Sequence, residues 1–405
     1  MMNENYIPVL LLTGYLGSGK TTLLNRILTN RRGIRFAVIV NDIGEVNIDA
    51  ELIQKGGVVA QQDDNLVALQ NGCICCSLKM DLVQQLHDLC AANAFDYIVI
   101  EASGICEPAP IAQTICSYTS LIASSPNSPS PKLDAIVTVV DALRMRDEFV
   151  EQLSPMTNSQ LPIAKAEDLA SLVIEQIEFC NLILLNKVSE VSEEEREHIR
   201  AILRAIQPKA KIIDCDYCDV SFGEILDTEL FDFEQVATSA TWIQKVEEDI
   251  KEDHHHEHHH HDEHEHHHHH ECDDPHCHCH NHGDEYGITT FVYYRRKPFD
   301  LNRFDEFVAR HWDKGIIRCK GMCYFEEEYD MCYLFEQAGK QFNLKQAGSF
   351  YATMPEEELM QLMARDPMLQ RDWDEQYGDR MQKLVFIGQN INREAITKAL
   401  DNCLV

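Results

Sequence analysis

Between Tyr6 and roughly Phe233, short and nearly continuous apolar runs alternate with amphipathic segments. The runs are YIPVLLLTG from Tyr6, RFAVIVND from Arg35, FDYIVIEASG from Phe95, LDAIVTVVDA from Leu133, NLILLNKV from Asn181 and AKIIDCD from Ala210. A strand with one wet face alternates apolar and polar residues, whereas a strand apolar throughout is buried on both faces. Between the runs, KTTLLNRILTN and MDLVQQLHDLCAA carry helical spacing. In the second, Leu78, Leu82, Leu86 and Leu89 form one face and Ser77 is a suitable N-cap. The alternation predicts a doubly wound, mostly parallel α/β sheet across residues 1–240. Leu121 to Lys132, rich in Ser and Pro, predicts a surface loop inside that domain.

The pattern breaks over residues 241–286. Seventeen of the twenty histidines fall between His254 and His282, interleaved with Asp and Glu and, towards the end of the stretch, with Cys272, Cys277 and Cys279. So few apolar side chains cannot offset chain entropy, which predicts a disordered linker. Order is expected again from Gly287. GITTFVYYRRKPF reads as a strand, LNRFDEFVARHW as a helix, IIRCKGMCYFEEE and MCYLFEQAG as strands, and KLVFIGQN with REAITKALDNCL as a closing strand and helix. Residues 287–405 are therefore read as a small α+β domain.

Composition narrows the partners. The chain has 405 residues, 44% of them hydrophobic, so two cores can form. Its net charge of −32 argues against nucleic acid and anionic membrane surfaces, both of which repel an acidic protein. No apolar run approaches the ~18 residues needed to span a bilayer. Ile7 to Leu12 has no basic lead and is too short for a signal peptide. Sixteen cysteines in a chain of this length then point to free thiols in a reducing, cytoplasmic compartment.

The first chemical motif is Gly14-Tyr-Leu-Gly17-Ser18-Gly19-Lys20-Thr21-Thr22, a G-x-x-x-x-G-K-[ST] loop between an apolar strand and an amphipathic helix. Its glycines allow the partly left-handed backbone that aims N–H groups at phosphate oxygens. Lys20 would reach the β- and γ-phosphates, the Thr21 hydroxyl would ligate Mg²⁺, and the helix dipole adds attraction. A second acidic group is needed near the metal. Glu101 supplies it at the end of YIVIE, with Gly104 close behind to offer an N–H to the γ-phosphate. Asn186-Lys187 follows another buried run, where GTPases carry Asn-Lys-x-Asp. The fourth position here is Ser189, followed by Glu190, so the motif specifies guanine less fully than the glycine-rich loop specifies phosphate.

The second motif is Asn71-Gly-Cys73-Ile-Cys75-Cys76-Ser77. Three thiols within four residues can converge on one ion, and a helix N-terminus nearby favours the thiolate. Thiolates suit Zn²⁺ or Cu(I), and three of them leave a fourth position open for transfer. Inert buried thiols and redox exchange are the alternatives. Cys215-x-x-Cys218 and Cys319-x-x-x-Cys323 are weaker pairs, read as unliganded. The His tract suits loose binding of several Zn²⁺, Ni²⁺ or Co²⁺ ions.

Together GYLGSGKTTLLN, VNDIGEVNID, GGCICCSL and EASG resemble the CobW family of metal-trafficking GTPases, and the resemblance extends over nearly the whole chain. It implies GTP hydrolysis, with Mg²⁺, coupled to loading or release of Zn²⁺ (or Co²⁺ or Ni²⁺) for a client metalloprotein. It also implies that Asp42 and Glu45 lie near the Mg²⁺ and the cysteine site, and it leaves homo-oligomerisation open. Two other readings compete: an ATP-dependent small-molecule kinase on the same fold, and a non-enzymatic metal buffer gated by nucleotide.

Overall fold

A computed structural model describes residues 6–29, 33–41, 66–71, 79–118, 129–150, 169–233, 286–339, 341–365, 369–370 and 373–405. The 241–286 linker expectation falls almost wholly outside them, as does most of the Ser/Pro-rich loop. The chain divides into two compact units, Met1–Ala240 and Thr241–Val405. Among the described residues no helix is long and apolar enough to cross a membrane.

The first unit is built on seven strands: β1 (Tyr6–Gly14), β2 (Phe36–Asn41), β3 (Leu66–Asn71), β4 (Tyr97–Glu101), β5 (Ser130–Asp141), β6 (Leu182–Asn186) and β7 (Lys211–Cys215). They lie in the order β3-β2-β4-β1-β5-β6-β7, and every pair is parallel. Helices α1 (Lys20–Leu28), α2 (Lys79–Ala92), α3 (Pro108–Cys116), α4 (Leu169–Glu178) and α5 (Glu193–Ile206) accompany it. The apolar runs behave as their composition requires: β4 and β6 are buried along their whole length. Leu23, Leu24 and Ile27 of α1 join one core with Leu10, Leu12, Val38, Val99 and Val137. On α2, Leu82, Leu86 and Leu89 are buried. Ser192 and Glu195 close a reciprocal capping box at the start of α5.

One boundary differs from expectation. β5 begins at Ser130, so Ser130, Pro131 and Lys132 belong to the strand and not to the expected loop. Among the described residues Pro131 pairs only with Ile7 of β1, because β6 joins β5 from Val137 onward. Among them no strand pairs with the other side of β5 there, and a residue without an N–H is tolerated at such a place.

The second unit is an antiparallel sheet ordered β11-β10-β9-β12-β8. Its strands are β8 (Ile288–Arg295), β9 (Ile316–Cys323), β10 (Met331–Ala338), β11 (Gln341–Ser349) and β12 (Gln382–Gln389). Helices α6 (Leu301–Arg310) and α8 (Arg393–Asp401) supply Phe304, Phe307, Ile396 and Leu400 to a core shared with Phe291, Phe335 and Phe386. A further helix, α7, covers Glu356–Arg365.

Candidate nucleotide site

The phosphate loop joins β1 to α1 at the C-terminal edge of the parallel sheet, where an open α/β sheet binds its ligands. Two of its glycines are required by close approach as well as by backbone angle. Gly14, at φ 136°, would place a Cβ 2.4 Å from the Val139 carbonyl oxygen, and Gly19, at φ 118°, one 2.5 Å from Asn186 Nδ2. Gly17 is also left-handed, at φ 78°. The turn is held by the Ser18 N–H donating to the Tyr15 carbonyl at 3.1 Å. Lys20 is nearly buried, and its Nζ donates to the same carbonyl at 3.2 Å, inside the loop it serves. Thr22, two positions further along α1, is exposed. The Arg144 guanidinium lies 4.0 Å from the centroid of the Tyr15 ring.

Beside the loop stands β4. Leu12 pairs with Glu101, so the carboxylate at the end of β4 comes level with the start of the phosphate loop. Thr21 Oγ1 donates to Glu101 Oε1 at 3.2 Å, and Glu101 is only 2% exposed. Gly104 packs against the loop: a Cβ there would meet the Leu16 N at 2.8 Å. A buried glutamine that sequence reasoning missed holds this segment. Gln176 of α4 donates from Nε2 to the carbonyls of Gly104, at 3.3 Å, and Cys106, at 3.2 Å.

On the other flank, Asn186 ends β6 and is a hub. Its Nδ2 donates to the Ser18 carbonyl at 2.8 Å, and its Oδ1 accepts from the Cys218 N–H at 3.0 Å. Lys187 adopts a left-handed conformation and pairs with Asp141 at the end of β5. The Cys218 thiol donates to the Gly19 carbonyl at 3.4 Å. The pair Cys215 and Cys218 is buried behind the phosphate loop. Hydrogen bonding to Cys215, with burial second, raises the Cys218 thiol, and the same bond lowers Cys215. Cys319 and Cys323 are buried in the second unit, where burial pushes both thiols up and keeps them protonated.

The predicted metal residues Asp42, Glu45, Cys73, Cys75 and Cys76 lie outside the described residues, and so does Ser77. What is described is where their segments leave the sheet. Asn41 pairs with Asn71, and Val40 pairs with Glu101. Strands sit about 4.8 Å apart, so the end of β3, two residues before Cys73, stands roughly 10 Å across β2 from the Glu101 backbone. Among the described residues no group of three metal-ligating side chains occurs.

The nucleotide-binding domain model of CobW/HypB/UreG matches residues 8–214, and the cobalamin synthesis protein cobW C-terminal domain matches residues 288–404. The chain belongs to the CobW/HypB/UreG family. It is a P-loop GTPase, which takes the place of the kinase alternative. A zinc-regulated GTPase metalloprotein activator of Dictyostelium discoideum is 34% identical over 412 residues, spanning 98% of this chain and 80% of that protein. The Escherichia coli K12 zinc chaperone YjiA is 33% identical over 240 residues, 58% of this chain and 65% of its own length. A Schizosaccharomyces pombe zinc-regulated GTPase metalloprotein activator is 33% identical over 242 residues, 59% of this chain and 53% of that protein. The chain thus spans less than two thirds of the E. coli relative and about half of the fission yeast one.

Proposed function

We propose that this GTPase uses its nucleotide cycle to load and release a thiophilic metal ion for a client metalloprotein, with zinc the foremost cargo and cobalt and nickel the alternatives. The observation that supports it best is a continuous row at the C-terminal edge of the parallel sheet. Thr21 bonds Glu101, Glu101 pairs with Val40, and Asn41 pairs with Asn71, from which the cysteine loop departs. The zinc-directed names of three relatives support the choice of cargo.

In this reading Gly14, Gly17, Ser18, Gly19 and Lys20 cradle the phosphates of GTP, with Thr22 and Gly104 flanking them and Asn186 and Lys187 on the base side. The donor set fits Mg²⁺: a hydroxyl and a carboxylate, both hard oxygens, meet at Thr21 and Glu101. Thr21 would hold the ion directly and Glu101 through water. When bound, the ion neutralises charge on the β- and γ-phosphates. Cys73, Cys75 and Cys76 would hold the cargo as thiolates, with Asp42 and Glu45 between the two centres. The segments after β2 and β3 then respond to the γ-phosphate, as switch segments of P-loop hydrolases do.

Replacing Cys73, Cys75 and Cys76 together by Ser tests the assignment. Tight zinc binding and any zinc effect on turnover should vanish, while GDP affinity stays within about twofold. Retained tight zinc binding would remove the cysteine loop from the account.

A further inference from the structure

Ser189 stands where guanine-reading GTPases carry an aspartate, and its single neutral oxygen cannot offer the two carboxylate oxygens that receive the N1–H and the 2-amino group of guanine. We propose that Asp216, from a different loop, supplies the missing carboxylate and is the guanine-specifying residue of this chain. The assignment rests on the chain's being a GTPase and is independent of which metal it carries.

Three observations carry it. First, Asp216 is joined to Ser189 itself. The Ser189 N–H and Oγ donate to one carboxylate oxygen, Oδ1, at 3.0 and 2.9 Å. An aspartate at 189 would set its carboxyl carbon near the present Oγ. The Asp216 charge is thus displaced by one hydrogen-bond length from where the usual reader would hold it.

Second, the loop is fastened to the phosphate site. Asn186 pairs with Cys215 across β6 and β7, which makes Asp216 the first residue beyond that edge. The Asn186 side chain binds the Ser18 carbonyl on one side and the Cys218 N–H on the other. Phosphate loop and Asp216 loop therefore share one anchor, as base and phosphate must within one nucleotide.

Third, Asp216 retains acceptor capacity. Its neighbours Asp214 and Asp219 are engaged by cations, Arg200 at 3.0 Å and Arg26 at 2.6 Å. Among the described residues Asp216 makes no ion pair, and its contacts to Ser189 use Oδ1 alone. An ionised carboxylate offers about four acceptor sites, enough to hold Ser189 and still receive two donors from a base.

The test is competition binding of GDP, IDP, XDP and ADP to the full chain and to Asp216→Asn. IDP lacks the 2-amino group, and XDP carries a carbonyl there, which an asparagine amide can serve as donor. In the unaltered protein GDP should outbind IDP by roughly tenfold or more, the scale of a hydrogen bond to a charged group. Asp216→Asn should weaken GDP by about that factor, tighten XDP, and leave ADP within about twofold. Adding Ser189→Asp to Asp216→Asn should restore the preference for GDP over IDP. Uniform weakening of all four diphosphates would mean a structural role only and overturn the proposal, as would an unchanged order of GDP, IDP and XDP.

Discussion

The two sheets treat buried polar groups differently. In the parallel sheet Lys20, Glu101, Gln176 and Asn186 gather around one edge and bind the phosphate loop, the start of α1 and the segment after β4. In the antiparallel sheet the buried polar side chains are spread along the strands and tie each to its neighbours and their turns. Gln382 fastens the Tyr324 carbonyl at 2.8 Å, Gln337 the Ile316 carbonyl at 3.3 Å, and Glu336 receives Lys320 at 2.7 Å. A buried polar group is costly unless partnered, so each set must have a use. In the first unit that use is to hold the phosphate loop and the ends of β4 and β6 in one geometry. In the second it is to close a fold whose stability comes from aromatic packing.

The largest expected effect breaks the second unit alone. Phe304 is 3% exposed and stacks on Phe299 at 4.9 Å, with Phe335 edge-on at 5.2 Å. Phe304→Ala should cost about 3–5 kcal/mol by transfer and cavity terms. In thermal unfolding followed calorimetrically, one transition should fall by many degrees while GTP hydrolysis at 25 °C persists. Loss of hydrolysis in folded Phe304→Ala would show that the two units do not divide the work.

A smaller effect sharpens the picture of the first unit. Gln176→Leu leaves the Gly104 and Cys106 carbonyls without their buried donor, a loss of about 1–3 kcal/mol. Because Gly104 abuts Leu16 of the phosphate loop, turnover should fall several-fold while GDP affinity changes less than about twofold. Equal losses in both would make Gln176 a purely structural clamp. The smallest effect comes from Ser192→Ala, which removes the Oγ acceptor of the Glu195 N–H at 3.2 Å. About 1 kcal/mol of stability should go, with kcat and KM unmoved, since the cap touches no site residue.

The phosphate loop was legible because its chemistry is local: glycines, lysine and threonine lie within nine consecutive residues, and the apolar strand before them declares its burial. Glu101 could be read from the end of a run for the same reason. Gln176 and Asp216 could not, because each acts only through register between segments far apart in sequence. Gln176 sits in an apolar helix as an ordinary polar residue until α4 is laid against Gly104. Asp216 is one of several acids near Cys215 until β7 is paired with β6. β11 escaped for another reason. QFNLKQAGS is mostly polar and, beyond Gln341, exposed on both faces; its alternation runs only from Gln341 to Lys345 before Gln-Ala-Gly-Ser breaks it, too short a signal to declare a strand. Pro131 concealed the true start of β5 behind a loop-like composition.

The central claim is that the nucleotide state sets metal affinity, and a metal titration against a competing chelator tests it most directly. Zn²⁺ affinity is measured on the full chain with GDP and with a non-hydrolysable GTP analogue, and Lys20→Ala serves as the control that uncouples nucleotide. The account predicts that the two affinities differ by about 5–150-fold, a coupling of ~1–3 kcal/mol. By linkage, zinc must then shift the ratio of GTP-analogue to GDP affinity by the same factor. Equal zinc affinities in the two nucleotide states would contradict it and leave a metal buffer beside an uncoupled GTPase.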